Sequence, residues 1–89
     1  MIKGRTVSGF DFEIDEGMVD DMRFIDALAE MDSGSLLAVS KVANLMFDAE
    51  QKERLYKHLS ELSEDGRVHT EPFIKEIIEI FNYNQKTKN

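Results

Sequence analysis

Within residues 8–32, SGFDFEIDEGMVDDMRFIDALAEMD, the spacing of apolar residues changes from every second position to every third or fourth. Phe10, Phe12 and Ile14 alternate with Asp11, Glu13 and Asp15, the pattern of a strand with one buried face. From Val19 onward Met22, Ile25, Leu28 and Ala29 recur at helical spacing, with Phe24 and Met31 widening the stripe. Asp15-Glu16-Gly17 breaks the strand, and Asp20-Asp21 place negative charge in the first helical turn, where the macrodipole is positive. A strand thus feeds a helix.

The same segment is lopsided in charge. Residues 11–32 carry nine acidic side chains against Arg23 alone, a net of −8, while the whole chain carries −7, so the remaining residues nearly cancel. Electrostatic encounters run through this segment, or its charge serves solubility.

Eighty-nine residues make one domain that buries roughly 60 to 65 % of its unfolded surface and folds without a staple. Cysteine is absent, which excludes a disulfide framework and thiolate metal sites. Met-Ile-Lys-Gly-Arg at the N-terminus lacks the apolar run of a signal peptide, and no stretch approaches the ~20 apolar residues that span a bilayer. The expectation is a soluble cytoplasmic protein with no membrane partner. Scattered Lys and Arg in an acidic chain argue against a nucleic-acid ligand. Such a surface suits a protein partner with a basic patch, which leaves an acidic interaction adaptor or a DNA mimic open.

Residues 2–7 and 10–14 are expected to pair as a hairpin through Ser8-Gly9, with Lys3 and Arg5 reaching the acidic strand. Alone such a hairpin is marginal, so Val7, Phe10, Phe12 and Ile14 must lie against helices. The first helix stops at Met31-Asp32 before Ser33-Gly34, and Ser33 or Ser35 caps a second helix from Leu36 to Phe47. That helix is apolar almost all round, with Ser40, Lys41 and Asn44 on one polar edge beside Leu37, which predicts a central position. Ala38 and Ala43 permit close approach of a neighbour.

Asp48 and Gln51 read as a capping box opening a surface helix with a thin stripe of Leu55, Leu59 and Leu62. Glu50 with Arg54, and Glu53 with Lys57, stand at i, i+4 along it. After the turn Glu64-Asp65-Gly66-Arg67, Thr70 is the expected N-cap and Pro72 falls in the first turn of a last helix running to about Asn82. This helix is expected to bury Phe73, Ile74, Ile77, Ile78 and Phe81, with Lys75, Glu76 and Glu79 in water. Residues 84–89 read as a disordered tail. The predicted fold class is mainly α: a single small helical domain of about four helices over residues 1–83, with a short N-terminal β-hairpin at about 2–14. Its predicted core is Phe12, Ile25, Leu28, Val42, Leu45, Leu59, Ile77 and Ile78.

No motif predicts catalysis or a cofactor. A calcium-loop count from Asp11 puts Glu16 where glycine is needed and Met22 where a bidentate glutamate belongs. His58 and His69 stand on different elements without metal-ligand spacing, and Tyr56 and Tyr83 need only cover apolar surface. The glycines are dispersed through turns, so no phosphate-cradling loop forms. Asp32-Ser33-Gly34-Ser35-Leu36 has a faint likeness to the Asp-Ser-Leu of acyl carrier proteins, whose serine bears a phosphopantetheine arm. Gly34-Ser35 interrupts it, and helix capping accounts for the serines. Neither an enzyme, a metal site nor a cofactor is predicted.

Taken in order, Gly9 to Asp15, Asp20-Asp21 opening a helix that ends Leu28-Ala29-Glu30, the Glu50-Gln51 helix, Asp65-Gly66-Arg67-Val68 and the final Phe73/Glu76-Ile77 helix form a recognisable series. It resembles the small tail assembly chaperones of long-tailed phages and prophages, with Met22 departing from an expected aromatic. The resemblance implies a non-enzymatic, mainly helical protein of the bacterial host cytoplasm. It would bind the tape-measure protein, recruit major tail-tube subunits and leave before the virion is complete. The resemblance further implies the short form of a pair that includes a frameshifted longer product. Self-association is compatible with it. Together with the −8 segment and the wide apolar stripes, it places partner contacts at Asp20, Asp21, Phe24, Asp26 and Phe81.

Overall fold

Among the described residues two strands and five helices follow in chain order: β1 (Ile2–Arg5), β2 (Asp11–Ile14), α1 (Glu16–Val19), α2 (Met22–Asp32), α3 (Leu36–Met46), α4 (Ala49–Leu62) and α5 (Thr70–Thr87). This computed structural model describes the backbone of residues 1–87 and the side chains of residues 1–83. The fold is 65% helical, with the strands forming a two-stranded antiparallel N-terminal hairpin, as the periodicities predict.

The hairpin pairs Ile2 with Ile14, Lys3 with Glu13, Gly4 with Phe12 and Arg5 with Asp11. Its turn starts earlier than expected, at Thr6. The Thr6 N–H donates to the Phe10 carbonyl at 2.9 Å, the Gly9 N–H donates to the Thr6 carbonyl at 2.9 Å, and Gly9 takes a φ of 98° that suits glycine. Val7 therefore stands at the tip and is 95% exposed, while Phe10, Phe12 and Ile14 are buried. Gly4 lies under the T-shaped Phe12–Tyr83 ring pair, where an added Cβ would come within 2.7 Å of both rings. β1 needs a glycine there for α5 to approach it.

The first helix, expected from Val19, starts at Met22 as α2, and a separate turn, α1, precedes it. Asp15 caps the extra turn α1 by accepting the Gly17 N–H at 2.9 Å. Asp21 caps α2 by accepting the Arg23 N–H at 2.9 Å, and Asp20 ends α1. The two carboxylates satisfy orphan N–H groups or follow a C-terminus, instead of sitting inside one first turn.

α2 is rotated relative to the predicted stripe. Phe24, Ala27 and Met31 are its buried residues, whereas Ile25 and Leu28 are half-buried and Met22 is exposed. α5 shows a similar rotation: Phe73, Ile77 and Ile80 are buried, Ile74 and Phe81 are half-buried, and Ile78 is 38% exposed. Glu76, expected in water, is 5% exposed. The backbone of α5 continues to Thr87 past the expected end at Asn82, so residues 84–87 extend the helix. The rest of the expected tail, 88–89, lies outside the described residues.

α3 is not central. It buries Ala38, Val39, Val42, Ala43 and Met46 on one face and packs most extensively on α2. Leu36, Leu37 and Leu45 stay exposed, so Leu45 is not a core residue. Of the predicted core, Phe12, Val42, Leu59 and Ile77 are buried, Ile25 and Leu28 are half-buried, and Leu45 and Ile78 are corrected to the surface. Ser35 caps α3 through the Ala38 N–H, and Asp48 caps α4 through the Gln51 N–H at 2.8 Å.

Candidate functional site

The rotations of α2 and α5 leave an apolar groove between them. Each helix uses one edge of a broad apolar face for the core and presents the other edge along the groove. Ile25, Leu28, Ala29 and Asp32 recur at i, i+3, i+4 and i+7 on α2, and Met31, Ile78 and Phe81 complete the lining. The groove encloses about 320 Å³. At its base the Phe24 and Phe81 rings meet with centroids 6.0 Å apart, so the groove floor is continuous with the core.

The five residues predicted to meet a partner do not act alike. Phe81 lines the groove and is half-buried. Asp26 is exposed one residue along from the groove residue Ile25, and Asp20 and Asp21 are exposed on the α1–α2 junction. Phe24 is corrected from partner surface to core, being 1% exposed beneath Phe81. Sequence reasoning missed Ile25, Leu28 and Ile78 as groove residues because their apolar character reads equally well as core. The signal that finds them is width: both helices carry more apolar arc than a single packing face requires.

A second constellation joins the hairpin turn to α4 and α5. The Ser8 Oγ lies 3.0 Å from His58 Nε2 and donates to Glu76 Oε1, while the Val7 N–H donates to Glu79 Oε2 at 2.7 Å. His58 also lies against the Phe10 ring, with centroids 5.7 Å apart. Serine, histidine and glutamate are thus together, in the wrong order for nucleophilic catalysis. A triad carboxylate orients the imidazole, whereas Glu76 binds the serine itself. The arrangement ties the turn down.

His69 belongs to a third group, the α4–α5 loop. Asp65 accepts from Ser63 Oγ at 2.6 Å and from the Arg67 N–H at 3.0 Å, with His69 Nε2 within 3.0 Å of both its oxygens. These bonds, the Ser63 hydroxyl first, lower the Asp65 pKa from 3.8 to about 2. Among the described residues no group of three or more His, Asp or Glu side chains converges to hold a metal ion. No helix is long and apolar enough to cross a membrane among them.

Compared with protein families, curated proteins and solved structures, the chain matches none.

Proposed function

We propose that this chain is a non-enzymatic phage tail assembly chaperone. It holds a basic-flanked apolar helix of a tape-measure or major tail-tube protein in the host cytoplasm and releases it before the virion is complete. The observation that supports the reading most is the α2–α5 groove, an open apolar channel on the most acidic stretch of the chain. A helix laid in a groove anchors through apolar residues at i, i+3 and i+4. The groove supplies apolar walls for two or three such residues, and Asp26 and Asp32 offer charge to basic flanks. So small an apolar contact gives the weak, reversible binding that a transient assembly factor needs. The resemblance of the ordered sequence pieces to short-form tail chaperones adds the identity of the partners.

Co-expression with the tape-measure and tube proteins of the same gene cluster, followed by affinity capture at moderate salt, tests the reading. The parent chain is expected to retain at least one of them, and Ile78→Glu, a charge placed on the exposed groove wall, is expected to retain neither. Failure of the parent to retain either protein, with both soluble, overturns the assignment.

A further inference from the structure

A different pocket, of about 410 Å³, opens between the hairpin turn, the end of α4, the α4–α5 loop and α5. Val7, Leu59, Leu62 and Pro72 supply apolar walls, and Glu76 and Glu79 supply carboxylates one turn apart on α5. Exposed Val7 and Leu62 leave it open to solvent. Three basic residues also line it: Lys75 Nζ is 3.6 Å from Glu71, the His69 ring Nε2 is 2.9 Å from Asp65, and Arg67 forms no ion pair with Glu76 or Glu79 among the described residues. The distinctive atom is Glu76 Oε2, which is buried and has no hydrogen-bond partner among the described residues, although Oε1 of the same group receives the Ser8 hydroxyl. A buried acceptor left unpaired is costly, and a donor that reaches it removes that cost.

We propose that this pocket takes one arginine side chain of a partner polypeptide, with its guanidinium on Glu76 and Glu79 and its stem along Val7, Leu62 and Pro72. Both carboxylates already hold one hydrogen bond from the hairpin turn, so the ligand must offer several donors in different directions from one centre. A planar guanidinium does this with five N–H groups, and it is more weakly hydrated than an ammonium. The terminal torsion of a glutamate is broad, so the Glu76 carboxylate turns toward an incoming donor without a change of rotamer. The apolar walls cover the methylene stem that arginine brings with its charge.

Titration of the whole chain with n-butylguanidinium, followed by amide-resolved NMR, tests this directly, with n-butylammonium and n-pentanol as comparisons. Saturable shifts are expected at Val7, Ser8, Leu62, Glu76 and Glu79, with a dissociation constant of about millimolar size for so small a probe. The guanidinium should bind at least about threefold tighter than the ammonium. Glu76→Gln should weaken it about tenfold, and Glu79→Gln carries the same test if the first variant loses its folded spectrum. Absence of saturation, equal binding by pentanol, an ammonium preference, or no weakening in the folded glutamine variants overturns the proposal. Because the probe is a small molecule, these outcomes are independent of whether a tail protein is captured.

Discussion

The side-chain amide of Gln51 pairs with both main-chain groups of Glu13: its Nε2 donates to the Glu13 carbonyl at 2.8 Å, and its Oε1 accepts the Glu13 N–H at 2.7 Å. In an antiparallel hairpin the N–H and C=O of one residue point to the same side, so these groups of Glu13 face away from β1. They would otherwise form an open strand edge. Arg54, one turn later on α4, donates to the Asp11 carbonyl at 3.2 Å and lies over the Phe10 ring at 5.1 Å. α4 therefore closes the edge of β2 with side chains in place of a third strand.

Gln51→Leu keeps the side-chain bulk and removes both bonds. It should cost about 1.5 to 3 kcal/mol in urea unfolding and speed hydrogen exchange at the Glu13 amide. A loss under about 0.5 kcal/mol would mean that water replaces the amide without penalty.

Gln51 also shows why some of the fold was legible in sequence and some was not. Local signals were sufficient for element type: the period switch after Ile14, and Ser35 and Asp48 as caps, all appear where the residue chemistry places them. The half of the Asp48–Gln51 capping box that uses the Asp48 carboxylate forms. The returning half does not, because the Gln51 amide finds the backbone of Glu13, 38 positions away. Helix rotation is a similar long-range outcome. Where an apolar arc is wider than the packing face, as on α2 and α5, the sequence names the arc, and only the neighbours decide which edge is covered. That ambiguity hid the groove, and it moved Glu76 from water to a buried position and Phe24 from partner surface to core.

The exchange of roles between Phe24 and Leu45 is measurable. Phe24→Ala empties a fully buried site against Phe81 and should cost about 3 to 5 kcal/mol. Leu45→Ala trims a side chain that is 38% exposed and should cost less than about 1 kcal/mol. Chemical denaturation of the two variants side by side checks both values. A Leu45 variant that loses more than Phe24→Ala would overturn the rotation assigned to α3.

The Asp65 cluster gives a pH dependence of definite sign. Its folded pKa, about 2, lies below the ordinary 3.8, so its stabilising contribution is complete above that ordinary value and is lost as pH falls through the folded one. The carboxyl resonance of Asp65 should therefore titrate with a midpoint near 2, and Asp65→Asn should flatten the stability profile between about pH 4 and pH 2. A midpoint near 3.8 would show that the Ser63 and Arg67 bonds do not persist in solution.

If the α2–α5 groove receives a tail protein, charge and apolar contact should separate in the kinetics. Asp20, Asp21 and Asp26 are exposed near the groove helix, and the field of such a cluster acts before contact is made. Replacing the three by Asn should slow association severalfold at about 50 mM salt and have little effect at about 300 mM, where screening removes the steering. Asn at position 21 still serves as an N-cap, so α2 remains intact. Ile78 is the cleaner apolar probe, because Phe81 also touches the buried Phe24 ring and its loss would disturb the core. Ile78→Ser should leave the association rate nearly unchanged and raise the dissociation rate about tenfold, the size expected for uncovering part of one aliphatic side chain. Stopped-flow binding to the purified tape-measure or tube protein distinguishes the two classes of variant. Equal effects of both sets on dissociation, with no salt dependence of association, would move the contact away from this groove.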